Sequence, residues 1–262
     1  MLTKNQLRGK KILITGASSG LGYAMAKALG EAGASVLMAS RKAEKLDAAV
    51  TSLKEREVDA EGLELDVRSE PSIANALHWV EEHWGSLDML INNAGIGMRT
   101  VNPRFLTEPK PFFDVSAEGF RDLIDTNLTG YFLVAKAFVP VFIRKGKGKI
   151  TNISMNHETM RRKGFIPYGP SRAGAESLSL IMAEDLREYH IDVNMLLPGG
   201  ATETGMIPDE MRRSLPPGFR LLSPDIMAEP VLFLASDESN GITGQRITAT
   251  QFGEWKRGLK KP

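Results

Sequence analysis

The 262-residue sequence predicts an α/β fold, a parallel β-sheet with helices on both faces. Three observations predict it. Apolar runs of about five residues alternate with helical stretches of about eleven to fourteen, the pattern of βαβ units with strands buried on both sides. The first run stops at a glycine-containing loop that leads straight into the first helical stretch. Composition is that of an ordinary folded protein, 42% hydrophobic and 25% charged.

In order, Lys11–Thr15 (KILIT) reads as a strand and Leu21–Gly33 as an alanine-rich helix. Ser35–Ala39 is the next strand and Ala43–Arg56 a charged helix. Glu61–Val67 and Ser72–Trp84 form the third pair, and Leu87–Ile91 is a fourth strand ending in Asn92-Asn93-Ala94-Gly95. Ile96–Val115, with Pro103, Pro109 and Pro111, reads as a long loop. Ala117–Arg144 resumes as a long helix, followed by a strand at Lys149–Ile153, a helix at Pro170–Tyr189 and a strand at Asp192–Leu197. Pro198–Pro224 is irregular, with Pro208, Pro216 and Pro217. Asp225–Ala235 reads as a helix and Gly244–Thr250 as a last strand. No linker, repeat or low-complexity tract interrupts the chain, so residues 1–262 are expected to form one domain.

The net charge of +1 argues against nucleic acid as the main partner, because phosphate binding leaves a basic excess. The basic cluster Lys256, Arg257, Lys260 and Lys261 reads as a solvated tail. With no cysteine there is no disulfide, thiolate zinc site or cysteine nucleophile. The four histidines show no HExxH spacing, so no metal site is expected. No apolar run approaches the ~18–20 residues of a membrane span, and the polar N-terminus is no secretory signal. A soluble, cytoplasmic protein is expected.

Thr15-Gly16-Ala17-Ser18-Ser19-Gly20-Leu21-Gly22 joins the first strand to the first helix. Glycines allow a tight turn there, and a helix N-terminus offers free N–H groups and a positive dipole end to a pyrophosphate. The spacing is GxxxGxG. Together with Asp66-Val67, Asn92-Asn93-Ala94-Gly95, Asn127 in TNLTG and Tyr168 in YGPSR, it resembles the short-chain dehydrogenase/reductase family from about Leu7 to Gln245. The resemblance implies a Rossmann-type, doubly wound sheet of seven parallel strands, a bound NAD or NADP, and carbonyl–alcohol interconversion.

The end of the second strand bears on which nucleotide binds. An acid there would bond the ribose hydroxyls of NAD and repel a 2′-phosphate. That position falls on Ser40, followed by Arg41 and Lys42, which suits NADP, Arg41 being the better fork for a phosphate. The plainer reading is a solvated cation pair opening a helix. The resemblance also places Asp66 and Val67 against the adenine and Asn93, Ala94 and Gly95 beside its ribose. Gly16, Ser18, Ser19, Gly20, Leu21 and Gly22 would cradle the phosphates.

Tyr168 and Arg172 are four apart on a helix and emerge on one face. The resemblance makes Tyr168 the proton donor or acceptor, which a nearby cation must assist at neutral pH. The family has a lysine four residues on, which also holds the nicotinamide ribose. This chain has Arg172, which keeps the charge but cannot release a proton. Asn127 matches the asparagine that orders the relay water. The family's serine, thirteen residues before the tyrosine, is here Met155, which has no donor. Ser154, Asn156 and His157 are the candidate replacements, with Ser154 foremost.

Pro198-Gly199 matches the turn past the nicotinamide, with the following threonine at Thr202 or Thr204. Two loops, about 96–115 and 200–224, would flank the substrate with Phe105, Phe112, Phe113, Met206, Ile207, Met211, Leu215 and Phe219, which favours an apolar or aromatic substrate. TATQFG at Thr248–Gly253 lacks the family's usual acidic ending; a homodimer or homotetramer is expected from the family habit. The Met155 and Arg172 departures leave two rivals: a non-redox enzyme (isomerase or lyase) and a catalytically idle dinucleotide-binding protein.

Overall fold

In the computed structural model, which describes residues 6–207 and 220–259, the KILIT run becomes β1 (Lys11–Thr15) inside one seven-stranded sheet. The strand order is β3-β2-β1-β4-β5-β6-β7, with β2 at Ser35–Ser40, β3 at Ala60–Glu64, β4 at Met89–Asn92, β5 at Gly148–Ile153, β6 at Ile191–Leu197 and β7 at Arg246–Thr248. Every pairing is parallel, for example Ile12 with Val36 on one side and with Met89 on the other. The order reverses between β1 and β4, which opens a crevice at the C-terminal ends of those strands.

Alternate strand residues feed two cores. Ile12, Ile14, Val36, Met38, Met89 and Ile91 pack with α1 (Gly20–Glu31) and α2 (Ala43–Lys54). Leu13, Leu37, Ala39 and Leu90 pack with α3 (Glu70–His83) and α5 (Gly130–Lys145) on the other face. That is why these strands are apolar at consecutive positions.

Several boundaries differ from the sequence expectation. β3 stops at Glu64 because its partner β2 ends at Ser40, to whose carbonyl the Leu65 amide still donates at 3.1 Å, and the chain turns away at Val67-Arg68. The last strand keeps only the residues opposite Met195–Leu197. Helix α7 (Tyr168–Asp185) begins at Tyr168 rather than Pro170, which puts the tyrosine in its first turn. A four-residue helix, α6 (His157–Met160), precedes it. The C-terminal stretch is no loose tail: after α8 (Ala228–Ala235) and β7, α9 (Phe252–Gly258) buries Phe252, and Lys256 pairs with Glu238 at 3.0 Å. Lys260 and Lys261 lie outside the described residues.

The long helix is α4 (Ala117–Ile124), a π-helical turn at Asp125–Thr129 and α5 in continuous succession. This 29-residue stretch is, against expectation, long and apolar enough to cross a membrane, with a mean hydropathy of 1.4 in its most apolar window. Half of that window is buried within the protein, where Val134, Phe138, Val141 and Phe142 face the sheet.

Candidate active site

The crevice is lined first by the glycine turn. Thr15 Oγ1 accepts hydrogen bonds from the Asn93 and Ala94 amides, both at 3.0 Å, while Asn93 Nδ2 donates to the carbonyls of Thr15 at 2.9 Å and Gly16 at 3.0 Å. These bonds zip the ends of β1 and β4 together. Gly16 has φ +67°, and a Cβ there would lie 2.7 Å from Ala94 Cα. A Cβ at Gly22 would lie 2.5 Å from Asn93 Nδ2. Both glycines are thus required by the asparagine turn itself. Ser19, at the N-cap of α1, makes no side-chain capping bond, so the donors of the first helical turn suit an anion.

At the end of β2, the Ser18 and Ser40 hydroxyls lie 3.0 Å apart, and Arg41 and Lys42 are exposed. Asp66 is held by Arg68 through bonds of 3.1 and 2.8 Å, and the Arg68 guanidinium keeps its carboxyl below the ordinary range. Val67 is buried against Gly130. These residues stand along the β2 side of the crevice. Their arrangement fits a dinucleotide: helix donors at Ser19–Gly22, small hydroxyls at Ser18 and Ser40, and an exposed cation at Arg41.

Tyr168 faces the other side. It packs on the cluster of Met98, Phe105, Met155, Met160 and Phe165, with Val101 and Ile207 at its margin. Its hydroxyl contacts Met206 Sδ at 3.9 Å. Arg172, one turn along α7, lies under the Tyr168 ring at 5.3 Å from its centroid. The guanidinium is buried, and its Nη1 donates to Tyr131 Oη at 2.7 Å and to the Ile153 carbonyl at 2.8 Å. Burial opposes its charge, but the tyrosine oxygens of Tyr131 and Tyr168 outweigh that, so its pKa lies above the ordinary arginine value and it stays a cation. A Cβ on Gly95 would meet Arg172 Nη2 at 2.5 Å, so this glycine is required by the arginine.

Asn127 sits in the π-helical turn and is fully buried. Its Oδ1 accepts from the Ile96 amide at 2.9 Å, and its Nδ2 donates to the Ile96 carbonyl at 2.9 Å and to Ser171 Oγ at 3.2 Å. Its side chain therefore pins the segment after Gly95, with both amide hydrogens used and one acceptor site left on Oδ1.

The foremost candidate for the missing serine has a side-chain partner of its own. Ser154 donates to Glu176 Oε1, and Arg246 Nε donates to the same oxygen at 2.9 Å. His157 Nε2 lies 3.0 Å from Glu176 Oε2. Ser154 and His157 are thus gathered by Glu176, two turns beyond Tyr168 on α7, and Ser154 lies outside the apolar cluster. Just past the end of β5, Met155 joins the cluster with Tyr168 while its neighbour Ser154 turns to Glu176. Asn156 caps α6 without a side-chain capping bond. Nothing in these contacts supports Ser154 as the carbonyl partner. Sequence reasoning missed Tyr131, Glu176 and Arg246; only the i, i+8 spacing of Glu176 from Tyr168 offered a signal.

Past β6, Gly199 has φ +94° and packs on Thr250, whose amide donates to the Pro198 carbonyl at 3.3 Å. Thr202 is buried, donates to the Gly200 carbonyl at 3.1 Å and bridges to Leu222. Thr204 instead stands over the glycine turn, its Cγ2 being 3.3 Å from where a Gly20 Cβ would lie. Of the loop aromatics, Phe105 joins the Tyr168 cluster, stacked edge-on against Phe165 at 5.5 Å. Phe112 and Phe113 are 70% and 73% exposed and meet edge to face, so they do not line this wall. Pro208, Met211, Leu215, Pro216, Pro217 and Phe219 lie outside the described residues. A cavity of about 430 Å³ opens at the opposite end of the sheet, beside Lys10, Lys149 and Asp237. Lys10 is paired with Asp237 at 2.8 Å and Lys149 donates to Ser239 at 2.7 Å, so these charges are already engaged far from Tyr168.

Residues 10–213 match the short chain dehydrogenase family. The chain is 33% identical over 261 residues to a 2,5-dichloro-2,5-cyclohexadiene-1,4-diol dehydrogenase from Sphingobium indicum, spanning 97% of this chain and 99% of that protein. It is 31% identical over 247 residues to a gluconate 5-dehydrogenase from Gluconobacter oxydans, spanning 91% and 92%. Its structure is similar to that of a 3-ketoacyl-(acyl-carrier-protein) reductase from Brucella melitensis complexed with NADH, at a TM-score of 0.79 and 29% identity, covering 92% of this chain and 97% of that one. With the glycine turn, the seven-stranded order and the tyrosine helix in the same chain, the protein belongs to the short-chain dehydrogenase/reductase family, a family of pyridine-nucleotide-dependent oxidoreductases.

Proposed function

We propose that this protein is an NADP(H)-dependent oxidoreductase that interconverts a carbonyl and an alcohol, with Tyr168 as the acid/base. The observation that carries the reading is the placement of Tyr168 directly over the buried Arg172 cation, at the edge of an apolar wall beside the crevice. The nucleotide, when bound, supplies or accepts the hydride. Gly16, Ser18, Ser19, Gly20, Leu21 and Gly22 would hold its phosphates, Ser40 and Arg41 the 2′-phosphate, and Asp66, Val67 and Asn93–Gly95 the adenosine. Pro198, Gly199 and Thr204, rather than Thr202, would close the nicotinamide end.

The proton moves at Tyr168 Oη. Arg172 favours its departure from the phenol by charge alone, and Met155 offers the substrate an apolar surface where a hydroxyl donor would polarise the carbonyl. Together with Met98, Phe105 and Met206, this favours a small-molecule carbonyl or alcohol with an apolar or aromatic body. The absence of cysteine suits a cytoplasmic location. Exposed Phe132, Ile143, Leu180 and Ile181 on α5 and α7 support a homodimer or homotetramer.

The test follows nucleotide oxidation and reduction over a panel of ketones, aldehydes and alcohols. Tyr168→Phe should lower turnover by ~10²-fold or more while NADPH affinity changes by no more than a few-fold. Unchanged turnover in Tyr168→Phe would remove the tyrosine from the reaction. A second reading, a catalytically idle nucleotide-binding protein, is favoured by one observation: where the family has a serine hydroxyl this chain has Met155, and the neighbouring Ser154 is bonded to Glu176. A wild type silent across the whole panel would favour it.

A further inference from the structure

We infer that Tyr131, in the first turn of α5, is the positioning residue for the site's cation: its hydroxyl holds Arg172 beneath Tyr168 as a fixed charge. This rests on the reading of Tyr168 as the acid/base and extends it to a residue on another helix.

Arg172 is 2% exposed and makes no ion pair with another described residue. A buried cation without a carboxylate is costly, so whatever holds it must do so through neutral acceptors. Nη1 finds two, Tyr131 Oη and the Ile153 carbonyl, whereas Nε has none. The guanidinium lies between two aromatic rings, 5.6 Å from the Tyr131 centroid and 5.3 Å from that of Tyr168. Gly95 closes the slot from a third side. Tyr131 both stacks on the cation and accepts from it at 2.7 Å.

The two tyrosines are not equivalent. Tyr131 is buried, and burial pushes its hydroxyl above the ordinary phenol range despite the opposing pull of Arg172, so it stays neutral and remains an acceptor. Tyr168 is partly exposed at the crevice. An incompletely satisfied cation in a poorly solvated slot interacts strongly with any negative charge that forms beside it. Tyr131 Oη is sealed from the crevice and already accepts from Nη1, whereas Tyr168 opens on the crevice, so a charge that develops during the reaction develops on the Tyr168 side of Arg172. Because a guanidinium keeps its protons, Arg172 works here by position alone, and position is what Tyr131 supplies.

The test needs no substrate. Tyrosinate ultraviolet absorbance is recorded against pH for the full-length protein and for Tyr131→Phe, each with and without Tyr168→Phe, so that the difference isolates Tyr168. Tyr131→Phe keeps the ring and removes the acceptor. The Tyr168 component should then develop at higher pH than in the wild-type background, and an unchanged titration in a folded variant overturns the proposal. Should Tyr131→Phe fail to fold, Arg172→Gln must displace the Tyr168 component in the same direction; no displacement there overturns it equally. In an Arg172→Lys background Tyr131→Phe should have no further effect, since the forked donor is gone, and an equal displacement in both backgrounds would show that Tyr131 acts without Arg172. If the panel yields an alcohol substrate, Tyr131→Phe should lower kcat for its oxidation about tenfold at neutral pH with little change in KM, the loss shrinking as pH rises. A silent panel would sink the redox reading and leave the titration intact, so the two failures are distinguishable.

Discussion

Where β1 and β4 end, Thr15 and Asn93 satisfy one another's polar groups almost completely, and two glycines are packed so closely that neither tolerates a methyl group. Around Tyr168, by contrast, the neighbours are methionine, phenylalanine and an arginine with an unpartnered Nε, and the hydroxyl touches a sulfur at 3.9 Å. The first region is made of backbone geometry, in which each residue is tied to one partner by distance and angle. The second is made of apolar volume and one charge, which other side chains of similar size can supply. The difference explains why the departures from the family pattern, Met155 and Arg172, fall on the tyrosine side, while the glycine turn keeps its spacing.

Breaking the turn should therefore have the largest effect. Gly16→Ala meets Ala94 Cα and a left-handed φ at once, and should destabilise the protein by ~2–3 kcal/mol and abolish nucleotide binding. Thermal unfolding and a nucleotide titration measure both; a variant that folds and binds as the wild type would mean that β1 and β4 are less tightly joined than their hydrogen bonds indicate. The tyrosine wall should respond differently, in chemistry rather than in folding. Restoring the family residues with Met155→Ser and Arg172→Lys should lower kcat/KM on the true substrate by about ten- to a hundredfold, if apolar wall and long cation are adaptations to it. Because the two positions flank one site, the double variant is read against both singles. A rise in reduction of simple ketones, from a silent wild type, would identify the wall as decayed.

Smaller effects lie at the rim of the crevice. NADPH should bind at least tenfold tighter than NADH, about 1.4 kcal/mol, and Arg41→Ala should remove most of that preference. Equal titration curves for the two nucleotides in the wild type would assign Arg41 to solvent. The smallest concerns Asp66, whose pKa is lowered by the hydrogen bond from Arg68, with burial opposing. A carboxyl with a folded value below its unfolded one adds stability that is present above the ordinary carboxylate range and is lost as pH falls through the folded value. Arg68→Ala should accordingly flatten the acid limb of the stability–pH curve, by less than ~1 kcal/mol because the pair is partly exposed. An unaltered acid limb would mean that the backbone of the turn, not Arg68, holds the carboxylate.

Periodicity made the order of strands and helices legible, glycine spacing and its strand–helix setting the glycine turn, and helical spacing the shared face of Tyr168 and Arg172, because each depends on residues a few positions apart. The long helix was legible too, although its π-helical turn, which aims Asn127 at Ile96, was not. What the chain order could not supply is which distant group meets each buried polar atom. Ser154 and Met155 are adjacent, and only the placement of β5 between β4 and β6, with α7 laid across it, sends one to Glu176 and the other to Tyr168. Likewise Tyr131 and Arg172 are forty-one residues apart, and their bond exists because both are removed from water in the same slot. Local preference writes secondary structure into short stretches of sequence, whereas the partner of a buried donor is chosen by the assembled fold, since desolvation makes an unmatched group costly and only tertiary packing decides what lies within reach.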